Sequence, residues 1–372
     1  MILKNCTINE LVDKMKRKKA VCFGVGEFFF DYVLGTCNEE HLEKYIHMLM
    51  DNSKEKQNTS INFNNAILKI ASVEQIKEQL TSEHIIIITS MRYAEMVKQL
   101  NQIKEFDNIE CYIWVFAMGK YDDSSELCGI LSENAKLTMK IPKVIHWCWF
   151  GRNPLPEKER KCVESWKKYC PDYEIIEWNE DNFDINSNQY VKEAYECKKW
   201  AFVTDYVRLW AIYNYGGIYM DADVEVLKPL DIFLCHNAFS GFESYNIIPT
   251  GIMGGIKGNK WIENLLSYYD NKHFVENGEM GLTSNVRVIT QMTRDKYDIK
   301  LCNRYTDADD FVMYPMEIFC PINPLTKEIR ITNNTYTIHR FTSSWAKDKS
   351  VFDNQDEKLN YILNLFKDGE NK

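Results

Sequence analysis

The sequence has no Cys-x-x-Cys pair, although it holds 12 cysteines spread from Cys6 to Cys320. That spacing argues against a zinc ribbon or a thioredoxin-type redox motif. No apolar run approaches the ~18 residues that a membrane-crossing helix needs. The longest candidates, around residues 21–34 and 85–88, are broken by charge or too short. The opening residues, Met1-Ile-Leu-Lys-Asn-Cys6, show no apolar segment behind a basic one. The expectation is therefore a cytosolic chain with reduced thiols. Positive charge is also short: 45 Lys and Arg stand against 54 Asp and Glu, a net charge of −9. A chain with that balance is a poor non-specific nucleic-acid binder. Internal repeats and low-complexity segments are absent. What is present is apolar substance: 45% hydrophobic and 13% aromatic residues exclude a disordered chain. A length of 372 residues suggests two domains.

The first part alternates strand and helix signals, as a parallel sheet with helical crossovers would. Ala20–Gly26 reads as a strand feeding a glycine turn, and residues 27–52 read as largely helical with a break near Gly35. Ser72-Val-Glu-Gln75 is a capping box that opens a helix to Leu80. The isoleucine run 84–89 predicts a strand buried on both faces. A helix over 91–103 and a strand over 109–116 follow. Composition turns polar over 121–140, which places the boundary there: domains of 1–135 and 136–372. The second domain begins with a strand at Ile141–Phe150, a helix at Glu157–Tyr169 and a strand at Tyr173–Trp178. One or two helices over 192–214 end at Gly216-Gly217, where glycine suits a left-handed cap. A strand over 218–227 contains Asp221-Ala-Asp223, and a last helix spans 357–366.

Within a strand, Asp221 and Asp223 fall on one face. Two such carboxylates repel unless water or a cation lies between them, and Mg2+ or Mn2+ suits oxygen ligands. The structural alternative is a solvated pair at a strand end. Upstream, Asp205 and Arg208 lie three apart on an otherwise apolar helix, so they share a face. A plain helix-face salt bridge is the alternative there.

The stretch from Ala201 through Asp205, Arg208, Gly216, Gly217, Asp221 and Asp223 closely resembles the DxD-motif sugar-transferase family. That family includes Och1-type mannosyltransferases, capsular polysaccharide glycosyltransferases and, more distantly, the large glucosylating toxins. Thr204 stands where the family usually has serine. The opening strand Ile141-Pro-Lys-Val-Ile-His146-Trp-Cys-Trp149-Phe-Gly151 also fits the pattern. So do Ser165-Trp166, Trp178-Asn-Glu180 and the closing His339-Arg-Phe-Thr-Ser-Ser344-Trp345. The resemblance covers about 140–346. It implies an α/β fold: a type A glycosyltransferase domain, nucleotide-sugar-binding and Rossmann-like, preceded by a smaller Rossmann-like domain.

The resemblance also implies roles. Asp223 is the direct metal ligand, with Asp221 reaching the ribose or a metal-bound water, and His339 and Ser344 bind metal or phosphate. Asp205 and Arg208 grip the donor sugar, and Arg208 also suits the diphosphate. Trp149 stacks on the nucleobase, with a core tryptophan as the alternative, and Trp345 donates to the diphosphate. Glu243 and Asn285 are further, lower-ranked candidates. The cofactor is Mn2+ or Mg2+, and the donor a nucleotide sugar, a UDP-sugar in preference to a GDP-sugar. The implied activity is retaining hexosyl transfer to a glycan acceptor in capsular or other surface polysaccharide synthesis. A lipid-linked acceptor would bring the protein to the inner face of the membrane. There the basic run Lys14–Lys19 would help, though a solvated helix end also explains that run.

In the first domain, Gly24-Val-Gly26 lacks the third glycine of a dinucleotide turn, Phe29 standing in its place, and no acidic residue is evident at the end of a following strand. A structural or partner-binding module that binds no small ligand is the reading for that domain. Two rivals remain for the whole chain. One is a nucleotide-sugar-binding protein with impaired catalysis. The other is a DxD-type phosphohydrolase, against which Glu225 counts, because those enzymes want Thr or Val at that place.

Overall fold

Four consecutive isoleucines, Ile85–Ile88, lie in an interior strand of the first of two seven-stranded sheets, and all four are fully buried. The computed structural model describes residues 1–63, 66–121, 126–323, 325–342 and 350–370. Contacts divide the chain into two units. The first comprises Met1–Asp122, Asn323–Lys327 and Lys347–Lys372, and the second Asp123–Ile322 and Glu328–Ala346. These units depart from a single cut at 135: residues 123–135 group with the second unit and the closing helix with the first. That helix, Ser350–Glu370, buries Ile362 and Phe366 in the first unit's core. Periodicity locates such a helix but does not say which core its apolar stripe will join.

The first unit is α/β, as expected. Its strands are β1 (Ile2–Lys4), β2 (Lys19–Phe23), β3 (Ile46–Met50), β4 (Ser60–Phe63), β5 (Ala66–Ala71), β6 (His84–Ile88) and β7 (Glu110–Ile113). They lie in the order β1-β7-β6-β2-β3-β5-β4. Neighbours run parallel except β4 and β5, which form an antiparallel hairpin that the sequence pattern did not suggest. The region read as helix over 27–52 is helical to Glu39 and for one short turn at Glu43–Tyr45, and Ile46–Met50 is a strand. Methionine and leucine in that strand carry weak strand preference, and pairing with β2 and β5 overrides it. The Ser72 capping box is present, but its helix is a single turn, Val73–Ile76.

That missed strand also places an acid. Asp51 follows β3 directly and is buried, and its Oδ2 accepts the Val25 N–H of the glycine turn at 2.7 Å. Its Oδ1 accepts from Ser53 N–H at 2.8 Å, and Lys56 Nζ donates to Val25 O at 2.7 Å. The Val25 amide, one a dinucleotide turn would offer to phosphate, is thus bonded within the protein. The basic run is a helix end: Lys14 and Lys18 face Glu110, and Lys19 faces Glu83.

The second unit is also α/β. Its strands are β8 (Val144–Cys148), β9 (Glu174–Trp178), β10 (Gly217–Met220), β11 (Val224–Val226), β12 (Ala238–Gly241), β13 (Ile252–Gly255), β14 (Val275–Glu276), β15 (Glu279–Met280), β16 (Thr306–Asp307), β17 (Val312–Tyr314) and β18 (Thr337–His339). Seven form a mixed sheet in the order β16-β17-β12-β13-β10-β8-β9. β8 runs parallel to β9 and β10, whereas β13 is antiparallel to both its neighbours. The pairs β11–β18 and β14–β15 are separate ribbons. The helix Glu157–Tyr169 buries Trp166 against this sheet, where its indole N–H donates to Val224 O at 2.7 Å. The helix Trp200–Tyr215 packs on β8, β10 and β13.

That second helix ends as its glycines dictate. Gly216 and Gly217 have φ of 71° and 119°, backbone that glycine adopts most easily. His146 closes the corner. Its Nε2–H donates to Gly216 O at 2.8 Å, and its Nδ1 accepts the Trp178 indole N–H at 3.2 Å. Burial lowers its pKa, consistent with that neutral tautomer. Among the described residues no helix is long and apolar enough to cross a membrane. Gly217→Ala should destabilise the second unit by about 2 to 4 kcal/mol, since it combines backbone strain with overpacking. Its Cβ would stand 2.7 Å from Val144 O and 3.1 Å from His146 Nε2. Urea unfolding followed by tryptophan fluorescence measures this, because of nine tryptophans only Trp114 lies in the first unit. An unchanged midpoint would contradict the assigned corner.

Candidate active site

The chain leaves the main sheet at Met220 and enters a different ribbon at Val224. Asp221-Ala222-Asp223 is the turn between them, not part of one continuous strand. Shared strand periodicity therefore does not explain why the carboxylates meet. The turn does: Asp221 N–H donates to Gly251 O at 2.8 Å, and Val224 N–H donates back to Asp221 O at 3.0 Å. The next element supplies a third group. In the β11–β18 register Val224 stands opposite His339, which brings the imidazole to Asp223. A glycine makes room for it, since a Cβ on Gly251 would lie 2.8 Å from His339 Cε1 and Nδ1.

Single ligand atoms of Asp221, Asp223 and His339 all lie within 4.8 Å of one another. Two carboxylates and one imidazole form a donor set that fits Mn2+ or Mg2+, with room for oxygen ligands from a diphosphate. His339 Nε2 stands 3.3 Å from Asp223 Oδ1. Asp223 Oδ2 accepts from Thr342 N–H at 2.9 Å and lies 3.2 Å from the Thr342 hydroxyl oxygen. Burial alone would raise the Asp223 carboxyl, but the His339 charge and the Thr342 contacts outweigh it and hold it at about 2. Burial likewise works against the His339 cation, and Asp223 reverses this, holding the imidazole well above its ordinary 6.5.

Beside this cluster, Asp205 and Arg208 do share a helix face, and both are buried. Arg208 Nη2 donates to Asp205 Oδ1 at 3.0 Å, and Nη1 donates to Asp221 Oδ1 at 3.1 Å and to Thr250 O. The guanidinium lies 4.8 Å over the Tyr219 ring, whose hydroxyl donates to Asp221 Oδ1 at 2.8 Å. Burial pushes the Asp205 carboxyl up to about 6, with Asp221 adding to the rise and Arg208 and Asn285 opposing it. Asn285 opens the helix Asn285–Lys296 and donates from Nδ2 to Asp205 Oδ1 at 3.1 Å. Glu243 follows β12, half-buried. Burial pushes it up to about 7, with His339 opposing and Asp221 reinforcing the rise.

The structure thus brings together Asp205, Arg208, Asp221, Asp223 and His339, with Asn285 beside them. Trp149 lines a groove of about 490 Å3 with Trp147, Arg160, Lys167 and Glu177. Its indole N–H donates to Asn153 O at 2.6 Å. Among the described residues no hydrogen bond or ring contact ties it to the Asp221–Asp223 turn. Ser344 and Trp345 lie outside the described residues.

Sequence reasoning missed Tyr219, Gly251, Thr342 and Glu159. The Thr342 hydroxyl donates to Glu159 Oε1 at 2.7 Å, so Glu159 secures the segment that holds Asp223. One signal was available. Glu159 falls on the stripe Glu159, Cys162, Val163, Trp166 that its helix buries, and a carboxylate there needs a partner.

The Asp223–His339 pair makes metal-free stability depend on pH. A carboxyl held below its unfolded 3.8 contributes above that pH and loses its contribution as pH falls toward 2. An imidazole held above 6.5 contributes fully below that pH and loses its contribution as pH rises through the folded value. The melting-temperature gap between wild type and His339→Gln should be widest between pH 3.8 and 6.5. It should narrow on both sides in a scanning-calorimetry series. A gap independent of pH would refute the pairing.

Residues 156–240, which hold Asp205, Arg208 and the Asp221–Asp223 turn, match the family described as a glycosyltransferase sugar-binding region containing a DXD motif. An inositol phosphoceramide mannosyltransferase of Schizosaccharomyces pombe is 32% identical over 146 residues, covering 36% of this chain and 40% of the relative. The chain spans 33% of a second such protein from that organism. An uncharacterized glycosyltransferase of Acanthamoeba polyphaga mimivirus is 26% identical over 220 residues, 55% of this chain and 84% of the relative. Among solved structures, the PaToxG glycosyltransferase is 19% identical with a TM-score of 0.33, over 45% of this chain and 75% of that one. The match to the DXD-motif glycosyltransferase family thus falls on residues 156–240, and the chain spans less than half the length of the two mannosyltransferases.

Proposed function

We propose that this protein is a metal-dependent glycosyltransferase that moves a hexose from a nucleotide sugar, a UDP-sugar in preference to a GDP-sugar, to a glycan acceptor. The observation that carries this reading is the meeting of Asp221, Asp223 and His339 within 4.8 Å, in a segment with the family's DXD motif. The type A donor-binding arrangement and a role in surface polysaccharide synthesis belong to the same reading. The names of the S. pombe relatives add mannose to the sugars worth testing and a lipid-linked acceptor to the acceptors.

Each side chain has a share in the reaction. Thr342 occupies Asp223 Oδ2, which leaves Oδ1 facing His339 as the oxygen for a cation. Arg208 and Tyr219 both hold Asp221 Oδ1, which leaves Oδ2 for water or the ribose. Asp205 offers Oδ2 to a donor-sugar hydroxyl, because Oδ1 is already held by Arg208 and Asn285. A bound Mn2+ or Mg2+ supplies Lewis-acid neutralisation of charge on the leaving diphosphate. Transfer retains the anomeric configuration. The acceptor hydroxyl attacks from the side the diphosphate leaves, its oxygen bonds to the anomeric carbon, and its proton passes to the departing phosphate oxygen. No enzyme nucleophile is required.

Wild type with Mn2+ should turn over one or more of a panel of UDP- and GDP-hexoses, followed by mass spectrometry. Asp223→Ala should lower kcat/KM by about 10²–10³, the scale of a lost electrostatic contact to developing charge. Hydrolysis of simple phosphomonoesters in place of nucleotide sugars would refute the transferase. Metal affinity has its own signature. A cation must displace the proton that Asp223 holds on His339, so Mn2+ affinity should rise from about pH 6 to about pH 8. Calorimetric titration of His339→Ala should show weaker binding and a flatter pH slope; an unaltered slope would remove His339 from the ligand set.

A further inference from the structure

Glu193 is a carboxylate that no part of the mechanism above uses, yet it carries an unusual load. It sits on the helix Gln189–Glu196 with its side chain only 15% exposed. Oε2 accepts the backbone N–H of Phe274 at 2.7 Å and of Val275 at 3.1 Å. Oε1 accepts from His273 Nδ1–H and from Gln189 Nε2, each at 2.7 Å. Burial opposes its charge, but these donors outweigh burial and hold the carboxyl at about 2. Four donors on one ionised group make a firm anchor for backbone at 273–275.

What this anchor fixes leads to the candidate site. Val275 enters the hairpin β14–β15, whose strands pair Val275 with Met280. The hairpin closes where Gly281 N–H donates to Phe274 O at 2.8 Å. Four residues later the chain reaches Asn285, whose Nδ2 donates to Asp205 Oδ1 and whose Oδ1 lies 3.4 Å from the Tyr269 hydroxyl. Phe274 touches the helix that carries Asp205, its ring centred 5.0 Å from that of Phe202, three residues before Asp205. The anchored segment therefore meets the Asp205 helix twice, at Phe202 and at Asp205 itself.

We infer that Glu193 is a positioning residue for donor-sugar recognition: by fixing residues 273–275 it sets the hairpin that delivers Asn285 to Asp205, and so aims the carboxylate oxygen that receives the sugar. This rests on the proposed glycosyl transfer and deepens it at the sugar side of the donor. The cation cluster of Asp221, Asp223 and His339 has no part in the Glu193 contacts.

The test is titration calorimetry of the full chain with Mn2+, comparing the nucleotide sugar that wild type turns over with the matching nucleoside diphosphate. Glu193→Ala should lose about tenfold in affinity for the nucleotide sugar, the scale of one misaligned charged hydrogen bond. Its affinity for the diphosphate should stay within about twofold, because the cation cluster is untouched. Glu193→Gln keeps an acceptor oxygen for the two amides and should fall between. Should Glu193→Ala fail to fold, Glu193→Gln carries the test with a smaller loss of the same selectivity. Asn285→Ala should show the same sugar-selective loss and add little to Glu193→Ala. Equal loss of both ligands, no loss, or additive losses would overturn the positioning role and leave the transferase reading standing. Wild type that binds neither ligand would overturn that reading, and this inference with it.

Discussion

One buried guanidinium organises the candidate site. Arg208 sits between Asp205 on a helix and Asp221 at the end of β10, and it reaches the Thr250 carbonyl as well. Two carboxylates this close in a poorly hydrated interior repel and draw up protons unless a cation lies between them. Arg208 is that cation, and it decides more than charge balance. By taking Oδ1 of both acids it determines which oxygen each has left for a ligand. The Tyr219 ring beneath it and the Tyr219 hydroxyl beside it hold the same geometry from the strand. The site is thus a polar lattice in which the anionic groups are arranged before any ligand arrives, which lowers the cost of orienting them later.

Much of this was legible in the residues, for reasons that can be separated. Asp205 and Arg208 were readable as neighbours because a helix makes residues three apart meet. The Gly216-Gly217 corner was readable because its positive φ values demand glycine. The meeting of Asp221 and Asp223 was foreseen for an incomplete reason: the chain changes sheets between them, and a turn, not strand alternation, brings them together. Pairing across long separations leaves no local mark, so the β11–β18 contact could come only from a family resemblance. The same blindness hid Thr342, which acts through its backbone amide as much as through its side chain.

The first unit offers a contrast in how a glycine turn is used. Its strand order and parallel pairing suit a crevice at the strand ends. Yet Asp51 holds the Val25 amide, and Lys56 bridges acid and turn. An internal carboxylate thus stands where a dinucleotide-binding turn would meet an external anion. The acid went unseen because β3 is built from residues that a helix also accepts, and a strand that goes unrecognised takes its terminal residue with it.

The pairing of Val224 with His339 also bears on how the protein matures. The two partners are separated by on the order of a hundred residues, so their contact carries a large loop-closure cost and must wait for the intervening chain to be made. Until residues 337–342 have been synthesised and docked, the turn at Asp221–Asp223 has neither its imidazole nor the amide that restrains Asp223. A growing chain can therefore assemble β8, β9 and β10 while still lacking the complete cluster of Asp221, Asp223 and His339. The candidate site is, in this sense, incomplete through most of its own synthesis.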